Sequence, residues 1–389
     1  MQYDSQVTAR LPHLQDDPAR QARWAYMTEG ITDDYKRVCV EVLLDNEQNV
    51  SRSRGGALFE DVVTMTNFPA FTTFAFPLIR RVFPRLIANE LVSVQPMNQP
   101  TGKVFYFDIE YSAGGSPTAQ RVDKLVDFEQ NNPNLANLYA TAAEAAAVPE
   151  LDLRISSADV SATTRKLKSK WSLESEQDLS AYFGLNAESE LMTAISNEIA
   201  REIDRDVIAD LYSYANSQGA GNVNWSKTVP NSAPWTSLSP REWYRTLFDA
   251  LTDANNLIVK QRYRNANWIV VGADVGAIME KTDEFRLFPV ADPVGQIIYG
   301  PHLFGSVSGR FTVYKDPWLG ALGENPLQIL LGYKGQSALD TGYIYAPYVP
   351  LLTTPPFTDP NTMTTVRGMM TRYAKKGVIG PTYATVTVS

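Results

Sequence analysis

Two stretches of this chain have the outline of catalytic loops, and a third has the chemistry of a docking face. GSVSG at Gly305–Gly309 has the flanking glycines of a nucleophile elbow, but Val307 stands where the nucleophilic serine must be. PTGKV has the glycine–lysine pair of a phosphate-binding loop. It lacks the upstream glycine, and Val104 replaces the hydroxyl residue that would reach magnesium. The two histidines, His13 and His302, lie far apart in unlike contexts and read as a surface and a loop residue. The one cysteine, Cys39, sits in VCVEVLL, where a thiol packs as a small hydrophobe, and Asp33 and Asp34 read as helix-capping residues. No catalytic residue, metal ligand or cofactor-binding residue is singled out, and no cofactor is expected. Charge pairing is the remaining chemistry. Arg165, Lys166, Lys168 and Lys170 crowd one basic run, RKLKSKW. Glu198, Arg201, Glu202, Asp204 and Arg205 follow at spacings that let opposite charges pair on a helix, each pair worth a few tenths of a kcal/mol. That charged face is either solvated or a seam against another subunit.

The element carrying these acids is the chain's clearest feature. The basic, strand-like run RKLKSKWSLES leads into one long amphipathic helix, with Asn186 as its cap and Glu188 and Glu190 at the positive end of its dipole. Leu191, Ile195, Ile199, Ile203, Val207 and Leu211 recur every fourth residue, widened by Met192, Ile208 and Tyr212. About 30 residues at 1.5 Å each make a rod of roughly 45 Å. A four-residue step overshoots the 3.6-residue turn, so the stripe winds roughly halfway around the rod, and its two ends must face different neighbours.

With 389 residues, 44% of them apolar and 20% charged, the chain can bury a substantial core as two or three domains. A net charge of −8 without a polybasic block disfavours sequence-specific DNA binding. A single cysteine excludes an internal disulfide, no apolar run approaches the roughly 20 residues of a membrane span, and the polar N-terminus lacks a signal-peptide core. A soluble protein made in a reducing cytoplasm is expected.

Along the chain, Met1–Gly56 reads as an arm with helical pieces at Arg20–Thr28 and Asp34–Leu44, broken by SRSRGG. FPLIRRVFPRLIANELVSVQPM reads as a short helix into a strand, and TGKVFYFDIEY as a strand. Ser112–Leu151 reads as a protruding loop and LDLRISSADVSATTRKLKSKW as a second extended run, the two strands and loop making a long hairpin suited to interaction. Ser239-Pro240-Arg241-Glu242 is a capping box opening a helix to about Arg262. Asn267–Gly272 is a buried strand and ADVGAIMEK a short helix. Arg310–Tyr314, Leu327–Gly332 and Tyr343–Leu352 are strands, and FPVADPVGQIIYGPHLFGSVSG is a surface loop.

Four blocks in order, IRRVFPRLIANELVSVQPMNQPTGKVF (Ile79–Phe105), RKLKSKWSLESEQDLSAYFGLNAESELMTAISNEIAREIDRDV (Arg165–Val207), LGYKG (Leu331–Gly335) and DTGYIYAPYVPL with MMTRYAKKG, resemble the major capsid proteins of T-even-like contractile-tailed bacteriophages. The resemblance covers about Phe76 to Gly377. It implies an α+β chain of the HK-97 type capsid fold: an N-terminal arm at 1–75, a first part of the peripheral domain at 76–110, an E-loop at 111–168, the peripheral domain with the spine helix at 169–238, an axial domain at 239–345, and a return to the peripheral domain with the C-terminal segment at 346–389. It also implies a structural, non-enzymatic subunit that forms hexamers and pentamers closing into an icosahedral head around packaged double-stranded DNA. The expected partners are its own copies, a portal protein, a scaffold and decoration proteins, with assembly in the host bacterial cytoplasm and residence in the virion. Arg165, Lys166, Lys168 and Lys170 would then meet Glu198, Glu202 or Asp206 of a neighbour, with Arg201 and Arg205 in the same seam. A cellular nanocompartment shell of the same fold and a tail-tube or sheath protein are the alternatives. Family members carry a large insert in the E-loop, for which Ser112–Thr164 is too short, and lose an N-terminal segment to a protease. Leu58-Phe59-Glu60 fits that cleavage signal loosely, making Glu60 a weak candidate, and Ile278-Met279-Glu280 fits it equally well.

Overall fold

A computed structural model describes residues 18–29, 31, 34–57, 86–112, 120–121, 150–184, 186–230, 239–288, 300–320, 325–359 and 361–389. His13, Asp33, Glu60, the apolar stretch up to residue 85 and most of the expected E-loop lie outside them. The elements in chain order begin with α1 (Pro18–Thr28), α2 (Asp34–Ala57), α3 (Ala88–Leu91), β1 (Ser93–Val94), β2 (Thr101–Ser112), β3 (Gln120–Arg121), β4 (Glu150–Ser161), β5 (Thr163–Ser172), α4 (Leu173–Phe183) and α5 (Ala187–Gln218). They continue with β6 (Asn222–Trp225), α6 (Pro240–Arg262), β7 (Trp268–Gly272), α7 (Ala273–Met279), β8 (Phe285–Leu287), β9 (His302–Val307), β10 (Phe311–Asp316), β11 (Gln328–Gly332), β12 (Tyr343–Thr353), β13 (Phe357–Asp359), β14 (Thr364–Gly377) and β15 (Tyr383–Val388). Helices and largely antiparallel sheets make this an α+β chain, the class expected. It divides into two compact units.

The first unit comprises Met1–Val104, Asp159–Val207 and Ile344–Lys376. Its sheet runs β1-β12-β14-β13, with β5 on β14. Within the segment expected to be an arm, Val38 to Leu44 of α2 are buried on every side, the signature of a central helix. Asn46 of α2 donates to the carbonyls of Met97 (2.8 Å) and Tyr348 (3.0 Å). α1 is held to α2 by Trp24 Nε1, which donates to Asp45 at 2.8 Å, and by Arg23 on the same carboxylate. Cys39 is buried, as its apolar surroundings imply. SRSRGG does not break α2, which continues to Ala57. Each glycine there costs about 1 kcal/mol of helix propensity, which lowers stability without ending a helix already formed. The basic run stops being a strand at Ser172, earlier than expected. Ser172 Oγ accepts from Ser175 N (3.2 Å), and Glu174 and Glu176 fill the first turn, so a cap starts α4 and Gly184 in the left-handed region ends it.

The second unit comprises Phe105–Ala158, Ile208–Tyr343 and Gly377–Ser389. A seven-stranded mixed sheet runs β6-β15-β11-β7-β10-β9-β8, and a smaller one runs β3-β2-β4. In the former, WIVVG of β7 is buried throughout, as an interior strand of a sheet covered on both faces must be. α6 begins at the expected capping box, Ser239 and Glu242 each bonding the other's backbone, and ends at Arg262. Its Trp243, Leu247, Leu251, Ala254 and Ile258, spaced three and four apart, pack with Ile269 and Val271 of β7 and with Ile329 and Leu331 of β11.

The segment expected to be one surface loop contains β9, which pairs with β10 and β8, so His302 is on a strand. GSVSG is the end of this hairpin. Ser308 (φ 52°) and Gly309 (φ 64°) have positive φ, and Arg310 N donates to Val307 O at 3.0 Å, a tight turn whose twist matches the strands. In β11, Gly332 lies opposite Trp268, and a Cβ there would overlap the indole ring. Gly332→Ala should therefore lower stability by about 1–3 kcal/mol through overpacking, read as a fall in the urea midpoint. An unchanged midpoint would mean that the ring moves aside freely.

Candidate assembly surfaces

The ten-pair antiparallel ladder between β5 and β14, from Thr163↔Tyr373 to Ser172↔Thr364, sorts the basic run onto two faces. Strand side chains alternate, so Arg165 shares a face with Leu167, Ser169 and buried Trp171, while Lys166, Lys168 and Lys170 share the other and are exposed. On the Arg165 side, three groups converge on Asp206 of α5. Arg165 reaches its Oδ1 at 2.9 Å, Tyr373 Oη donates to Oδ2 at 2.8 Å, and Lys375 Nζ lies 2.9 Å from Oδ2. Tyr373 and Lys375 reach it together because they are two apart on one strand.

Burial alone would raise the Asp206 carboxyl. The hydrogen bonds from Lys375 and Tyr373 and the charges of Lys375 and Arg165 outweigh it, holding the pKa below its ordinary value. Tyr373 is pushed up by burial and by its bond to Asp206. The hydrogen bond with Tyr373, then the charge of Asp206, raise Arg165. This corrects one expectation: the Arg165–Asp206 pair placed across a subunit boundary forms within one chain, because the ladder register brings the arginine over the helix.

The other expected residues divide. Glu198 pairs with Arg201 one turn along α5. Glu202 is exposed and Arg205 half-buried. Asp204 is not on a solvated face. It is buried, and its Oδ1 accepts the Ala88 backbone N–H of α3 at 2.9 Å. Asn186 caps α5 through Glu188 N (2.9 Å) and Ser189 N (3.2 Å), and Glu188 pairs with Arg367 of β14. Lys166, Lys168 and Lys170 make no ion pair among the described residues. Sequence reasoning missed Tyr373 and Lys375, whose only signal is the two-residue spacing in MMTRYAKKG. It also missed exposed Tyr182 and Phe183 at the end of α4, where two aromatics close a helix without an apolar stripe. Among the described residues, no group of three His, Cys, Asp or Glu side chains could hold a metal ion, and no helix is long and apolar enough to cross a membrane.

The family model of the major capsid protein Gp23 matches residues 69–135 and 118–388. The major capsid protein of Vibrio phage KVP40 is 31% identical over 244 residues, 58% of this chain and 45% of that protein, so this chain spans less than half of that relative. The major capsid protein of Enterobacteria phage T4 is 24% identical over 391 residues, covering 76% of this chain and 73% of that one. Among solved structures, the capsid of Myoviridae phage XM1 aligns with a TM-score of 0.44 at 11% identity, over 78% of this chain and 92% of that one.

Asp206→Asn removes the negative charge that faces two cations and puts an amide N–H₂ or a neutral carbonyl where a carboxylate oxygen accepts from Tyr373, and should cost roughly 2–3 kcal/mol, mostly through Tyr373 and Lys375, since Arg165 is half exposed. Because the folded pKa is depressed, the stability this carboxylate contributes is full above its unfolded value of about 3.9 and is lost as pH falls from there through the lower folded value. Urea midpoints between pH 6 and 2 should fall less steeply for Asp206→Asn than for the native chain. Parallel curves would deny Asp206 this role.

Proposed function

We infer the protein's role from one premise, that the chain belongs to the family of the major capsid protein Gp23. It is a structural subunit that associates with its own copies into hexamers and pentamers, which close into an icosahedral head shell around packaged double-stranded DNA. The observation carrying this reading is the family match over residues 69–135 and 118–388, most of the chain. The order of elements supports the HK-97 type layout: a helical N-terminal segment, paired strands β2 and β4 flanking the expected E-loop, the long helix α5 as spine, and then an α/β module as axial domain. Cyclic capsomers use head-to-tail contacts that close by rotation. Each contact is weak, but a subunit held at several sites at once is held firmly. A net charge of −8 suits a wall that must not bind DNA tightly.

Assembly takes place in the host bacterial cytoplasm with a scaffold, a portal protein occupies one vertex, decoration proteins add to the outer surface, and the shell resides in the virion. The N-terminal segment is a candidate for proteolytic trimming at Glu60. The exposed lysines of β5 and the Glu198, Arg201, Glu202 and Arg205 face of α5 are the candidate seams, with Arg165 reserved for the subunit's own Asp206.

Native mass spectrometry of the full chain should give five- and six-fold multiples of 43.3 kDa. A chain that stays at the single-subunit mass at every concentration would overturn the reading. Deleting Gly114–Pro149 should lower the yield of rings while leaving the subunit folded, and Arg201→Glu with Arg205→Glu should do the same. Normal yield from the deletion would deny the loop a clamping role, and normal yield from the double variant would leave that face of α5 merely solvated.

A further inference from the structure

We propose that α4 of one subunit docks, through its acidic and aromatic face, on the open lysine-bearing face of the β5–β14–β13 sheet of a second copy of this chain. The inference rests on the shell-subunit reading and names one contact within it.

α4 is an unusual helix for a folded unit, because none of its 11 residues is buried. An isolated helix of that length is marginal in water, so packing must supply its stability. Its surface suits a partner. Glu174, Asp178 and Tyr182 follow at four-residue steps on one side, with Tyr182 81% and Phe183 72% exposed and Leu173 41%.

The sheet face offers the complement. The ladders set Phe357 opposite Val366 and Val366 opposite Lys170, so these three lie in one row on one face. Lys168 stands opposite Gly368 and Lys166 opposite Met370 on that same face. Phe357 is 67% exposed, and all three lysines are exposed. The result is an apolar patch, exposed Phe357 with half-buried Val366 and Met370, beside three ammonium groups. Alternate residues of a strand are roughly 6.7 Å apart, and residues four apart on a helix roughly 6 Å. Glu174 and Asp178 therefore match the spacing of two neighbouring lysines while Tyr182 and Phe183 reach apolar surface.

Charge complementarity selects a second copy as the occupant. The two patches are different surfaces of one chain, so the contact is head-to-tail and generates a ring when its rotation closes. The lysines also guard β5, an edge strand among the described residues, against indiscriminate strand pairing, which leaves its face rather than its edge for docking.

The test uses sedimentation of the full chain over a range of concentrations. One variant reverses the sheet (Lys166→Glu, Lys168→Glu, Lys170→Glu) and another reverses the helix (Glu174→Lys, Asp178→Lys). Like charges brought face to face should raise the concentration for half-assembly by roughly tenfold or more in each variant alone. An equal mixture should recover, because every contact is complementary when the two variants alternate. Alternation closes in six-membered rings and cannot close in five-membered ones, so the mixture should give hexamers without pentamers. Tyr182→Ser with Phe183→Ser, both exposed, should weaken assembly without altering charge, which keeps the test open if a charge variant fails to fold.

Three results would overturn the proposal. Both charge variants could assemble like the native chain. Recovery could occur only when both reversals share one chain, placing the contact within a subunit. The sheet variant could fail while both helix variants assemble normally, giving the lysines to another segment of the neighbour. A native chain that never associates would overturn the shell-subunit reading instead.

Discussion

The structure depends on one mismatch, between a four-residue apolar repeat and a helix that turns every 3.6 residues. On α5, Met192, Ile195, Ile199, Ile203 and Val207 are buried in the part of the helix assigned to the first unit, and Ile208, Leu211, Tyr212 and Ala215 in the part assigned to the second. Polar side chains on the same rod then hold elements distant in sequence. Asp204 receives the α3 backbone, Asp206 receives β5 and β14, and Asp210 receives Tyr343 at 2.9 Å. Tyr212 Oη meets the Val270 and Gln328 carbonyls at 3.1 and 3.0 Å, and Asn216 exchanges amide bonds with Gln328. Gly219, whose N–H returns to the Ala215 carbonyl at 2.9 Å, follows the end of the rod, where a Cβ would strike backbone.

This use of polar groups accounts for what the subunit offers to others. Asp206, with three partners, is committed inside the chain, and GSVSG is a hairpin turn. Among the groups facing outward are the lysines of one strand, acids and aromatics of α4, and exposed charges of α5. Single surface pairs are worth little. Contacts of that kind become decisive only by repetition, which is the circumstance of a shell.

Much of this was legible in order. The α5 stripe, its Asn186 cap, the Ser239–Glu242 box and the continuous apolar run of β7 are local patterns whose physics is complete within a dozen residues, and the structure keeps them nearly to the residue. Four sequence blocks carried the family. What escaped was non-local or a matter of balance. Sequence alone points Arg165 at a neighbour, because Tyr373 and Lys375, which join it on Asp206, lie on a strand some two hundred residues away, and only the register of β5 on β14 reveals the convergence. Asp204 reads as surface because charge spacing shows which residues can pair and not which are covered. SRSRGG reads as a stop on propensity alone, which leaves out the helix already running into it. β9 was hidden in a Gly- and Pro-rich segment, where turn residues outweighed a six-residue strand.

The most direct test of this account is electron microscopy of the purified full chain and of its native particle. Closed shells, or free rings of five and six subunits, are expected. A monodisperse monomer at high concentration, or open helical tubes, would contradict it.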